Sequence, residues 1–183
     1  MRVISGKVRG MKLVSPEGES TRPTLDRVKE AVFSMLLPYI SESVVLDLFA
    51  GSGAMGIEAL SRGAKKSVFV DSSEKAIDCI KTNINNAKMA EDSLIIRSDS
   101  CKFLREYSGE FDIIFIDPPY ESGLYENVFS LIASNDLIDS NGLIIAEWDY
   151  ENGIGNLPGE FELVKEKKYG RVGISVFKRR QRE

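Results

Sequence analysis

The chain has 183 residues, 43% hydrophobic and 28% charged, enough for one domain that buries about 70% of the surface its unfolded chain would expose. It contains no histidine, which excludes a serine-histidine-aspartate triad, an imidazole general base and every histidine-containing metal site. The formal charge of −4 is unevenly placed, with residues 1–30 and 165–183 together carrying +9 and the middle −13, a polarity that suits basic segments for a polyanion joined to an acidic catalytic body. Two cysteines, Cys79 and Cys101, have no C-x-x-C spacing, so neither a disulfide framework nor a zinc site is expected, and no metal is. The N-terminus lacks the apolar core of a signal peptide and no apolar run approaches about 18 residues, so a cytoplasmic protein without a membrane partner is expected.

In chain order, Arg2 to Ser5 and Met11 to Val14 read as two short β-runs around Gly6 and Gly10, a basic N-terminal hairpin. Residues 15–23 read as a loop, after which Thr24 is expected to cap a helix with apolar positions Leu25, Val28, Val32, Met35 and Leu36, stopping at Pro38. Val44 to Phe49 has the apolar density of a buried parallel strand and runs into a glycine loop. A helix follows from Ala54 to Arg62, ended by Gly63. Val68 to Val70 forms the second strand, closed by Asp71, and Ser73 caps a helix striped by Ala76, Ile77, Ile80, Ile84 and Ala87. Leu94 to Ile96 gives the third strand, a short helix runs through Phe103 and Leu104, and Phe111 to Ile116 is the fourth strand, ending in Asp117-Pro118-Pro119-Tyr120. Tyr125 to Ala133 is helical, Leu143 to Ala146 is the fifth strand, and Phe161 to Lys168 with Val172 to Lys178 form a closing antiparallel hairpin.

The alternation predicts an α/β, Rossmann-like fold: a mostly parallel seven-stranded sheet with helices on both faces, a C-terminal antiparallel hairpin and a small N-terminal β-hairpin extension. One domain spans 1–183, with the extension at 1–23 and the catalytic core at 24–183. Ligands of such sheets bind outside the carboxyl ends of the strands. Asp47 lies in the first strand and Asp71, Asp99, Asp117 and Glu147 close the next four, crowding negative charge around a crevice that suits a cationic or amine-bearing ligand.

Gly51, Gly53 and Gly56 fit G-x-G-x-x-G, with Asp71 twenty residues after the first glycine, a spacing shared with dinucleotide-binding loops. Asp47 separates the readings. A carboxylate about 4 Å from a pyrophosphate charge would repel it by about 4 kcal/mol at an effective dielectric of about 20, whereas the ammonium and sulfonium of S-adenosylmethionine are cations. The four residues Asp117 to Tyr120 carry the acceptor chemistry. Two prolines remove two amide donors, the Asp117 carboxylate and Pro118 carbonyl can hold both hydrogens of an exocyclic amine, and Tyr120 can stack on an extruded base. These residues alone leave guanine N2, adenine N6 and cytosine N4 open as the methylated atom.

The chain resembles the class I methyltransferases that use S-adenosylmethionine. ISGKVRGMKL at 4–13, TRPTLDRVKEAVFSML at 21–36, LDLFAGSGAMGIEALSRGA at 46–64, FIDPPY at 115–120 and KKYGRVGISVFK at 167–178 are similar to the RsmD family of 16S rRNA guanine-N2 methyltransferases, nearly end to end. That family's target is described as the guanine at position 966 of 16S rRNA, in the small ribosomal subunit or an assembly intermediate. The resemblance implies that Asp47, Gly51 and Gly53, with Phe49 and Ala50 of the same loop, surround the methionine end of S-adenosylmethionine, that Asp71 with Ser72 takes the ribose, and that Asp99 with Ser100 holds the adenine. Asp117, Pro118 and Tyr120 would receive the base. Arg2, Arg9, Arg22 and Arg27 are candidate RNA-binding residues, with Arg22 and Arg27 equally suited to the donor's carboxylate. An adenine-N6 or cytosine-N4 nucleic-acid methyltransferase and a non-catalytic ribosome-assembly RNA-binding protein are the alternatives.

Overall fold

The computed structural model describes residues 1–16, 23–119, 124–155 and 157–180; Arg22 and Tyr120 therefore lie outside the described residues. Seven strands form one sheet: β1 (Val44–Asp47), β2 (Lys66–Asp71), β3 (Ser93–Arg97), β4 (Phe111–Ile116), β5 (Ile138–Asp149), β6 (Phe161–Tyr169) and β7 (Val172–Arg179). Their spatial order is β3-β2-β1-β4-β5-β7-β6. The first five are parallel, and β7 enters antiparallel between β5 and β6. The order reverses at β1, flanked by β2 and β4, and it is at such a switch point that the loops after neighbouring strands part and leave a crevice.

Among the described residues five helices cover the sheet: α1 (Pro23–Ile40), α2 (Ala54–Ser61), α3 (Glu74–Ala87), α4 (Ser100–Glu106) and α5 (Tyr125–Ser134). Strand residues alternate between two cores. Val45, Phe69, Phe115, Ile145 and Ile174 pack with α1, α2 and α3 through Val32, Phe33, Ile57 and Ile80. Leu46, Val68, Ile114, Ile144 and Phe177 pack with α4 and α5 through Leu104, Val128, Phe129 and Ile132. The period of two along the strands thus feeds helices on both faces.

Several boundaries differ from those read from sequence. α1 begins at Pro23, so Thr24 lies within it rather than before it, in keeping with proline's fitness for a first helical turn. It also runs through Pro38 to Ile40, since a proline in the last turn forfeits little of the remaining ladder. β1 ends at Asp47, and Leu48 and Phe49 already turn, although the Leu48 amide still donates to the Phe115 carbonyl at 3.1 Å. β5 starts at Ile138, five residues before Leu143, with an irregular register against β4 between Phe111 and Ile113. The N-terminal hairpin has its expected shape but holds one bridge, Arg2 to Lys12, rather than two strands.

The extension is fastened to the core by buried polar groups. The Glu58 carboxylate of α2, fully buried, accepts from the amides of Ile4 at 2.8 Å and Ser5 at 3.0 Å. Ser61 Oγ donates to the Ser5 carbonyl at 2.6 Å, and Asn83 exchanges two hydrogen bonds of 2.8 Å with the backbone of Val14. Gly6, at φ +86, sits so close that a Cβ there would lie 1.8 Å from the Ser61 carbonyl oxygen, so a side chain would push the extension off α2. Val3 and Leu13 join the core on the α1 face. No helix among the described residues is long and apolar enough to cross a membrane.

Candidate active site

The loop after β1 turns on two left-handed glycines, Gly51 at φ 52 and Gly53 at φ 76, a conformation costly for residues with a Cβ. Its backbone is held from three sides: the Ala50 amide donates to the Val70 carbonyl at 3.0 Å, the Gly51 amide to Asp71 Oδ2 at 2.9 Å and the Gly56 amide to Asp47 Oδ2 at 2.9 Å. Asp47 thereby occupies the amino end of α2, where a carboxylate is stabilised by unpaired amides. Asp71 also accepts from the Ser73 amide at 2.8 Å.

Two cavities meet at this loop. A smaller one, about 320 Å³, is lined by Asp47, Phe49, Ala50 and Gly51 from β1 and its loop, by Val28 and Lys29 of α1, by Phe115, Asp117, Ile145, Glu147 and Ile174 at the strand ends, and by Met1 and Ser15 of the extension. A larger one, about 510 Å³, is lined by Gly51, Asp71, Ser72, Ser98, Asp99, Ser100, Asp117, Pro118, Pro119 and Leu124. Phe49, Gly51, Asp117 and Glu147 line both. Of the residues expected in the site, Asp47, Phe49, Ala50, Gly51, Asp71, Ser72, Asp99, Ser100, Asp117 and Pro118 come together here. Gly53 lines neither cavity; it caps α2 and packs under Phe69, so its part is to turn the chain. Asp99 caps α4, its Oδ1 accepting from the Lys102 amide at 2.8 Å. Arg2, Arg9 and Arg27 are exposed and line neither cavity, and Arg2 pairs with Asp26 at 3.4 Å.

Reading the sequence alone missed the wall formed by Met1, Ser15 and Lys29. Lys29 carried a signal, since it falls among the apolar positions 25, 28, 32 and 36 of α1. Among the described residues it is the one cationic side chain lining either cavity, and it is already engaged, donating to the Arg2 carbonyl and pairing with Glu58 at 3.2 Å. Burial holds its pKa below the usual lysine range, against the opposing pull of Glu58. The combined lining is therefore acidic, with Asp47, Asp71, Asp99, Asp117 and Glu147 against one committed lysine. Among the described residues, side chains of this sign suit a cationic ligand better than a pyrophosphate.

Burial, aided by the nearby Asp71 and opposed by the Gly56 and Met55 amides, pushes the Asp47 carboxyl up to about 7 from 3.8. A raised carboxyl pKa means that the folded chain binds this proton more tightly than the unfolded one. The corresponding stability is fully present below 3.8 and is lost as pH rises through 7. The span corresponds to about 4 kcal/mol. Asp47→Asn keeps an acceptor for Gly56 but cannot ionise, so its stability should rise relative to the wild type by that order between pH 4 and 8 in urea titrations. Parallel pH profiles for the two proteins would show that Asp47 does not titrate in this range.

Residues 1–178 match the family described as conserved hypothetical protein 95. The chain is 35% identical over 179 residues to the ribosomal RNA small subunit methyltransferase D of Escherichia coli K12, covering 98% of this chain and 90% of that one. It is 38% identical over 180 residues to the protein of the same name from Haemophilus influenzae, covering 97% and 93%. The solved structure of yhhF from Escherichia coli superimposes with a TM-score of 0.89 at 32% identity, covering 100% of this chain and 99% of that one.

Proposed function

Since the chain belongs to the ribosomal RNA small subunit methyltransferase D family, we propose that it methylates the exocyclic N2 of a guanine in 16S rRNA, within the small ribosomal subunit or an assembly intermediate, using S-adenosylmethionine. The observation that carries this reading is the junction of the two cavities. Asp117 stands where a pocket bounded by Asp47 meets one bounded by Asp71 and Asp99.

S-adenosylmethionine, when bound, would supply a methyl carbon to a nitrogen lone pair, the C–S bond breaking so that neutral S-adenosylhomocysteine is the leaving group. Asp47, in its ionised form, would attract the cationic end of that group, and Asp71 would accept from its ribose hydroxyls. The Asp117 carboxylate and the Pro118 carbonyl hold the two amine hydrogens of the base, drawing the nitrogen lone pair out of conjugation with the ring and toward the methyl group. Once N2 carries its new carbon, one of those hydrogens leaves as a proton, and Asp117 receives it. Tyr120 stacks on the extruded base, a contact worth about 1–3 kcal/mol.

Nucleoside mass spectrometry of small-subunit rRNA from cells with and without this protein tests the reading, with loss of one N2-methylguanine expected. Loss of N6-methyladenine instead would overturn the base assignment and leave the amine chemistry standing; a lost C5-methylpyrimidine would overturn both.

RNA affinity should reside partly in the basic extension. Replacing Arg2, Arg9 and Arg22 together by alanine should weaken substrate binding and flatten its salt dependence, by about 0.7–0.9 in the log–log slope for each phosphate contact removed. Filter binding across a salt series measures this. Retained RNA binding with lost donor affinity would instead assign the arginines to the donor's carboxylate.

A further inference from the structure

We propose that Glu147 selects guanine, its carboxylate accepting the ring N1–H beside the amine that Asp117 and Pro118 hold. The inference rests on the reading above that the acceptor is a flipped guanine. β4 and β5 run parallel with Ile116 opposite Ala146, so Asp117 and Glu147 are the next residues on adjacent strands, whose backbones lie about 4.8 Å apart. Ile116 and Ala146 point into the α4–α5 core. Glu147, the next residue of β5, alternates to the other face, and it lines the smaller cavity together with Asp117, Phe115, Ile145 and Ile174. Glu147 is paired across β7 with Ile174 and is half-buried. Its carbonyl accepts the Tyr125 hydroxyl at 2.6 Å, which ties this part of β5 to the start of α5. Both carboxylates line both cavities.

The chemistry of the three candidate bases makes this second carboxylate informative. Guanine presents a donor, N1–H, next to its exocyclic amine. Adenine presents N1 and cytosine N3 in the corresponding place, and both are acceptors. A carboxylate beside the amine site therefore gains a charge-assisted hydrogen bond with guanine and faces a lone pair with the other two. Discrimination of this kind, in which the wrong base turns a lone pair toward a carboxylate where guanine offers a donor, far exceeds what shape provides. Asp117 alone, which meets only the amine, cannot supply it.

The test uses small-subunit particles reconstituted with guanine, 2-aminopurine or adenine at the target position. 2-Aminopurine keeps the N2 amine but has a bare N1. The wild-type protein should methylate guanine with a kcat/KM about 10²-fold or more above 2-aminopurine. Glu147→Gln should lower the guanine value by about 10–100-fold and bring the two within about tenfold, because its amide can donate to the bare N1. Calorimetry with S-adenosylhomocysteine should give the variant an unchanged donor affinity. An unchanged guanine to 2-aminopurine ratio would overturn the proposal, as would a fall in donor affinity, which would put Glu147 on the donor's ammonium. Methylation of the adenine particle in preference to guanine by the wild type would instead sink the underlying guanine reading, whatever the variant does.

Discussion

Asp117→Ala should turn over roughly 10²–10³-fold more slowly than the wild type while binding S-adenosylhomocysteine with nearly the same affinity. That is the scale of loss when one preorganised transition-state partner is removed. The split between turnover and donor binding follows from position. Asp117 is the first residue beyond β4, exposed at the junction of the cavities, whereas the groups proposed to hold the donor sit on the β1 loop and at the ends of β2 and β3. Removing its carboxylate leaves the hydrogen bonds of Gly51 to Asp71 and of Gly56 to Asp47 intact. Single-turnover kinetics with saturating donor read the first quantity and calorimetry the second. A variant that loses donor affinity in step with turnover would place Asp117 on the donor rather than on the base.

Glu58→Ala should destabilise the fold by about 3–5 kcal/mol, the range for removing one partner of a buried ion pair, and lower Tm by roughly 10 °C. Glu58 is fully buried and meets the Arg62 guanidinium at 2.8 Å and the Lys29 ammonium at 3.2 Å besides the amides of Ile4 and Ser5. Deleting it strands a lysine that is itself 3% exposed. The double variant Glu58→Leu with Lys29→Met should recover much of the loss, because it removes both buried charges together. Thermal unfolding of the three proteins decides the matter. A single variant melting within a degree or two of the wild type would mean that the cluster is already hydrated and carries little of the stability. Because Met1 and Ser15 depend on the same anchorage, the single variant should also bind donor more weakly.

The legibility of the sequence followed the range of the interactions. β4 is bounded at Phe111 and Ile116 as its apolar run suggested, and Ser73 caps α3 by accepting from the Ala76 amide, because both features are set by residues next to one another. The strand ends carrying Asp47, Asp71, Asp99 and Asp117 were readable for the same reason. IDSNG at 138–142 has the composition of a turn and keeps part of that character inside β5, since Ile138 pairs with Phe111 but the ladder resumes only at Leu143 opposite Ile113. Lys29 and Glu58 are separated by twenty-nine positions, and nothing in either helix alone announces their pairing. The contribution of Met1 and Ser15 to the cavity wall was invisible for the same reason: it depends on where α1, α2 and α3 place their side chains.

The fastening of the extension bears on the order in which the protein acquires its shape. Every bond that holds residues 4–14 to Glu58, Ser61 and Asn83 spans 53 to 69 positions of chain. Contacts of such long range carry a large loop-closure entropy and form after local helices and adjacent strands have already condensed. During synthesis residues 4–14 must therefore wait for α2 and α3 to emerge. The wall of the smaller cavity is thus completed only after α2 and α3 have formed, so that competence to hold a ligand there reports assembly of distant segments rather than of any one of them.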